Sequence, residues 1–182
     1  MKEASEELIG MLGRPYDART IAGLLMPFGV KRMPSPSSPM DDDIIWSVKA
    51  SLRMDVYRPR ALARLTGRTW AEDGAWIIGS IHFLAPDADS RIRAMFPGRL
   101  PSGVGMESTP QDLLAAFGPA RLDEETGRPG HRGQLLAWRG LHTNMVAEYA
   151  QRQDSLSMSS FVVCLIGCIG AWRRDDPQVF AP

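Results

Sequence analysis

The stretch "IIWSVKASLRMDVY" (Ile44–Tyr57) decides the fold class. Ile44, Trp46, Val48, Ala50, Leu52, Met54 and Val56 are apolar, and Ser47, Lys49, Ser51, Arg53, Asp55 and Tyr57 stand between them. Successive side chains of an extended chain point to opposite faces. A period of two therefore predicts an antiparallel strand or hairpin with one buried and one wet face. The stretch is long for a single strand, which leaves room for a bend or turn inside it. On this reading Trp46 belongs to the core, and Lys49, Ser51, Arg53, Asp55 and Tyr57 line the wet face.

Strand composition returns at "AWIIGSIHFLA" (75–85), where alternation groups Ile77, Ile81 and Phe83 on one face and Trp76, Ser80 and His82 on the other. The segment between, "RPRALARLTGRTWAEDG" (58–74), reads as a loop with about one helical turn. "DSRIRAMF" (89–96) reads as a short helix, and the Pro- and Ser-rich "KRMPSPSSPMDDD" (31–43) as a loop. Further strands follow at "QLLAWRG" and "NMVAEYA". The closing stretch "LSMSSFVVCLIGCIGAW" is apolar on both faces beyond Phe161, which predicts a central strand or one covered on both sides. The tail "RRDDPQVFAP" reads as a frayed end.

Helix signals frame these strands. In "STPQDLLAAFGPA" (108–120) Thr109 is an N-cap, Pro110 suits the first helical position and Asp112 is a capping-box acid. Leu113, Leu114 and Phe117 form an apolar stripe, Gly118 ends the helix in a left-handed conformation, and Pro119 bars its continuation. "SEELIGMLGRPYDA" (5–18) has the same grammar, with Ser5 as its cap. Asp17 caps a further helix, "ARTIAGLLM", with Ile21, Leu24 and Leu25 on one side and Pro27 as the stop. Short helices cannot bury a stripe alone, so they lie across a sheet. The expected fold is α+β, with short helices packed on an antiparallel sheet. It forms a single domain over 1–182, with a two-unit pseudo-repeat (halves 1–96 and 106–172, connector 97–105).

Composition narrows the function. The 182 residues carry 21 Lys+Arg and 21 Asp+Glu, a formal net charge of zero, which argues against a general nucleic-acid binder. Two cysteines are too few for a disulfide scaffold. Cys164 and Cys168 would lie roughly 13 Å apart along an unbent strand, beyond disulfide reach, and read as small buried residues. The longest apolar run, Phe161–Trp172, is shorter than the roughly 20 residues of a membrane span. "MKEASEELIG" carries acids where a signal peptide has its apolar core. A cytoplasmic protein without membrane attachment is expected.

No catalytic constellation is visible. His82, His131 and His142 lack ligand spacing, and Asp41–Asp43 reads as a solvated loop end more readily than a cation site. No nucleophile elbow, phosphate loop or dinucleotide fingerprint occurs. We therefore expect no enzyme activity, no cofactor and no metal. Exposed Trp, Tyr and Arg anchor protein interfaces. The wet-face residues Lys49, Arg53, Asp55 and Tyr57, with Arg68 and Trp70 from the following loop, are accordingly the candidate partner-binding residues.

Three segments together, "LGRPYDARTIAGLL", "FPGRLPSGVGMESTPQDLLAAFGPA" and the Trp-bearing "LLAWRG", resemble small bacterial immunity proteins encoded beside secreted or contact-delivered toxins, including the pyocin type. The helix–Gly–Pro–sheet unit is also similar to the repeat of beta-lactamase inhibitor protein and of small outer-membrane assembly lipoproteins. The loops at 31–43 and 58–70 look longer than in that pattern. The resemblance implies binding of a cognate toxin or effector protein, blocking its active site or substrate access, with no bond made or broken. Two alternatives stand beside it: a structural or assembly module of the envelope-lipoprotein type, and an enzyme whose site no motif reveals. A homodimer is left open by the two-sided apolar final strand.

Overall fold

The computed structural model describes residues 2–35, 39–70, 75–128, 131–152 and 154–168. Trp172 and the tail 169–182, and residues 36–38 and 71–74 of the two long loops, lie outside the described residues, as does the His131 side chain. The helices are α1 (Lys2–Ile9), α2 (Ala18–Thr20, running on as a π turn over Ile21–Leu25 and a 3-10 turn over Met26–Phe28), α3 (Pro59–Thr66) and α4 (Pro110–Phe117). The strands are β1 (Pro15–Tyr16), β2 (Asp42–Ser47), β3 (Leu52–Tyr57), β4 (Trp76–Leu84), β5 (Leu122–Arg128), β6 (His131–Arg139), β7 (Thr143–Arg152) and β8 (Ser155–Leu165). They form one antiparallel sheet in the order β2-β3-β4-β8-β7-β6-β5, with β1 paired to the start of β4. The protein is α+β, and strands of both halves share this sheet, joined where β4 pairs with β8.

The main core lies on one sheet face. Leu8 and Met11 from the α1 region, Leu25 after α2 and Leu113 of α4 pack in one buried cluster with Ile45, Met54, Ile81, Phe83, Leu136 and Phe161 of the strands. A second cluster joins Ala61 and Leu62 of α3 to Tyr57, Ile77, Val146, Val162 and Cys164. β8 runs between β4 and β7 and is buried from Met158 onward, as its two-sided apolar sequence predicts. α4 has the expected capping box, with Asp112 N donating to Thr109 Oγ1 and Thr109 N to Asp112 Oδ2. Asp17 caps α2 through Thr20 N, 2.7 Å away.

Several expectations need correction. The alternation from Ile44 turns at 48–51, with Ser51 at φ +55°, and the hairpin register sets Ile45 opposite Met54 and Trp46 opposite Arg53. Even positions of β2 therefore share a face with odd positions of β3. Ile45 is fully buried, Ile44 is 39% exposed, and Trp46 is only partly covered and lies outside the core. The face predicted to be wet is covered along much of β3: Asp55 and Tyr57 are buried, Tyr57 in one cluster with Leu62 of α3, and Ser51 is buried in the turn. The loop read at 58–74 contains the two-turn helix α3, started by Pro59 at its first position and ended by Gly67 at φ +67°.

In β4 a bulge moves the register from Asp55↔Ser80 to Val56↔Ile78. It puts Trp76 with Ile81 and Phe83, and Ile77 with the second cluster, the reverse of simple alternation. The skipped residue is Gly79, where a Cβ would meet the Tyr57 ring at 2.5 Å. Residues 89–96 are turns and bends rather than a helix. Ser5 sits inside α1 and donates to the Arg99 carbonyl, so it ties the connector to the helix instead of capping it. Gly118 has φ +80° but ψ −173°, a positive-φ exit with extended ψ rather than a left-handed helical one. No described helix is long and apolar enough to cross a membrane.

Candidate partner-binding surface

β2 is an edge strand, and an open edge invites pairing with another chain. Here it is closed at its middle. Arg32 Nη1 donates to the Ile44 carbonyl at 2.9 Å, Ile44 N–H donates to Asp43 Oδ1 at 2.7 Å, and Arg32 Nη2 bridges to Asp43 Oδ2 at 2.7 Å. At Ile44 the edge therefore presents side chains rather than free backbone groups. Trp46 stands among them with two guanidinium groups over its ring: the Cζ of Arg91 is 3.8 Å from the ring centroid and that of Arg53 is 5.6 Å. Such cation–π contacts hold both partners in place. Ile44 and Val48 beside it are 39% and 41% exposed, and Lys49 is exposed on the adjoining turn.

Each arginine is fixed from its other side. Arg91 binds Asp89 side-on, Nε to Oδ1 and Nη2 to Oδ2, both 2.8 Å, and this pair holds the Asp89 carboxyl well below the usual carboxylate range. The loop carrying them is anchored by buried Ile92 and Phe96 and by Ser51 Oγ donating to the Ala94 carbonyl at 2.6 Å. Arg53 binds Asp55 in the same side-on way, at 2.8 and 3.1 Å.

Asp55 is buried beneath the surface. It accepts from Ser80 Oγ at 2.8 Å and lies 3.0 Å from His82 Nε2, on the strand opposite. Ionised Asp55 has only acceptors, so Nε2 carries the proton. Burial alone would raise the pKa of Asp55, but the hydrogen bond and charge of His82, then those of Arg53, outweigh it and lower the value to about 2. Ser80 Oγ is also 3.0 Å from the same Nε2. A hydrolase relay instead needs serine and aspartate on different imidazole nitrogens with the serine open to substrate. Ser80 is 2% exposed and His82 is 3% exposed. The grouping supports Arg53 and is closed to a substrate.

The predicted candidates thus divide. Arg53 and Asp55 form one pair, Asp55 beneath the surface, with Lys49 on the turn above. Tyr57 is buried four residues along β3, and burial pushes its phenol well above the ordinary value. Arg68 is exposed, with Nη2 3.2 Å from His142 Nδ1. Trp70 is partly buried: its indole N–H donates to Thr66 Oγ1 at 3.0 Å and its ring packs on Gly13. Asp55 and Tyr57 are buried, so the structure does not present them at the surface as the alternation predicts. Trp46, expected in the core, and Arg91, expected on a helix, instead lie together at the surface beside Arg53. Their signal lay in the hairpin parity, which brings Trp46 to Arg53.

Elsewhere, an open hollow of about 450 Å³ is lined by Phe117, Pro119, Arg121, Trp138, Arg139 and Met145, and one of about 530 Å³ by Asp123, Glu125, Arg132, Gln134 and Asp154 among others. Cys164 and Cys168 are free and buried. Of the Asp41–Asp43 run, Asp41 pairs with Arg64 and Asp43 with Arg32, and among the described residues no three metal-ligating side chains converge. Comparison with protein-family models, with curated proteins and with solved structures finds no match to this chain.

Proposed function

We propose that the protein is a cytoplasmic immunity protein that binds and neutralises a cognate toxin or effector protein without catalysis. The observation that carries this reading is the surface built on Trp46, where an aromatic ring and two guanidinium groups are held in place before any partner arrives. Trp and Arg are the residue types that dominate protein-interface energetics, and pre-ordered side chains lose little entropy on docking. The closed edge of β2 directs recognition to side chains, which favours one partner over indiscriminate strand addition.

The test is co-expression with the product of the adjacent reading frame, scoring growth rescue and co-purification together. Rescue with a stable complex supports immunity by direct binding. Unrelieved toxicity with no complex refutes it.

A further inference from the structure

Resting on the surface proposed above, we infer its ligand chemistry: a protein segment that presents an aspartate or glutamate side chain beside an aliphatic one. Arg53 and Arg91 both engage their own carboxylates through Nε and Nη2. A guanidinium has five N–H donors in a planar fork, so this side-on mode leaves the Nη1 end of each outside its pair. Both planes are steadied by Trp46, and both side chains are reachable, that of Arg53 being 23% exposed and that of Arg91 52%.

The unused end of a fixed guanidinium matches the two oxygens of a carboxylate, and its rotamer freedom is already spent. Ile44 shares the face of Trp46, and Val48 follows on the turn, so an aliphatic neighbour of that carboxylate meets apolar surface. A phosphate polymer fits less well. Each arginine already faces one carboxylate and the formal net charge of the chain is zero, whereas polyanion binding draws on a surplus of positive charge.

The experiment follows the Trp46 indole and the Arg53 and Arg91 Nε–H resonances of the intact protein by NMR. The probes are the capped peptide acetyl-Leu-Glu-Ile-Glu-Leu-amide, its Gln-for-Glu counterpart and the oligonucleotide dT5. The expected result is saturable shifts with the Glu peptide, at least about tenfold tighter than with the Gln peptide or dT5. Arg91→Lys, on an exposed loop, keeps the charge but loses the fork, and should weaken Glu-peptide binding about tenfold. Arg53→Lys should do the same in a protein whose remaining spectrum is unchanged. Equal binding of the Glu and Gln peptides, unchanged binding by folded Arg91→Lys, or no saturable shift overturns the inference. Tighter binding of dT5 overturns it in favour of a phosphate ligand. Growth rescue alongside a negative peptide result would leave immunity standing and move the contact to another face. A positive peptide result with neither rescue nor a complex would keep the site and refute the immunity reading.

Discussion

Asp55 links the buried layer to the surface. Its carboxylate is stabilised in the folded state, with a pKa lowered to about 2 from 3.8. A lowered carboxylate pKa contributes stability that is present above the unfolded value and is lost as pH falls through the folded one. The contribution is about 2 kcal/mol, held above about pH 4 and lost toward pH 2. Urea midpoints measured from pH 5 to pH 2 should fall for the native protein, and the fall should be shallower in Asp55→Asn. An identical acid limb in the two proteins would contradict the account. Asn144 is the opposite case. It is fully buried, and neither amide atom has a hydrogen-bond partner among the described residues. Unpaired buried amides cost free energy, so Asn144→Leu should raise stability by about 1–2 kcal/mol in equilibrium unfolding. A loss would mean that the amide is satisfied in solution or that the bulkier Leu overpacks the site.

At the scale of elements, the capped helix was legible because caps are written in local sequence: Thr109, Pro110 and Asp112 each do their job within a few residues, and Gly118 ends the helix at a positive φ. Thr109→Ala should therefore cost about 1 kcal/mol, read as a shift of the thermal midpoint. Most strands were legible as strands, but β5 (Leu122–Arg128) lies in the polar stretch "RLDEETGRPGHRG", which reads as a loop, and the faces of the strands were not legible. Parity passes through a turn unchanged only if the register allows it, and the Ile45↔Met54 pairing reverses it. The bulge at Gly79 reverses it again within β4. Both events depend on pairing between strands, which no single period in the chain records. α3 reads as about one turn from sequence because its buried side is short, Ala61 and Leu62 under Pro59, while Arg60, Arg64 and Leu65 are exposed. Gly79→Ala tests the bulge directly: a Cβ 2.5 Å from the Tyr57 ring should destabilise by about 1–3 kcal/mol through overpacking. A neutral effect would mean the bulge relaxes freely.

For the whole molecule, the two halves share one sheet and both hydrophobic clusters. β4 pairs with β8 through Ser80–Leu84 and Ser160–Cys164, and Phe83 and Phe161 pack across that seam with ring centroids 6.5 Å apart. Separated fragments 1–96 and 97–182 would each expose a long apolar strand, so neither should show cooperative unfolding alone. Circular dichroism melts of each fragment and of their mixture would check this, and a cooperative fragment would contradict it. The proposed surface is half legible in the sequence. Alternation points to Arg53 and Lys49, while the meeting of Trp46 with Arg91 needs a hairpin register and a loop fastened to it.

The claim that joins these scales is that the Trp46–Arg53–Arg91 surface binds the toxin. The most direct measurement is the affinity of the purified protein and of Trp46→Ala and Arg91→Ala for the co-expressed partner, by calorimetry, with growth rescue scored on the same variants. The account predicts folded variants whose binding weakens about 30-fold or more each, the scale of an interface hot spot, with rescue lost in step. Folded variants that bind and protect as well as the native protein would contradict it.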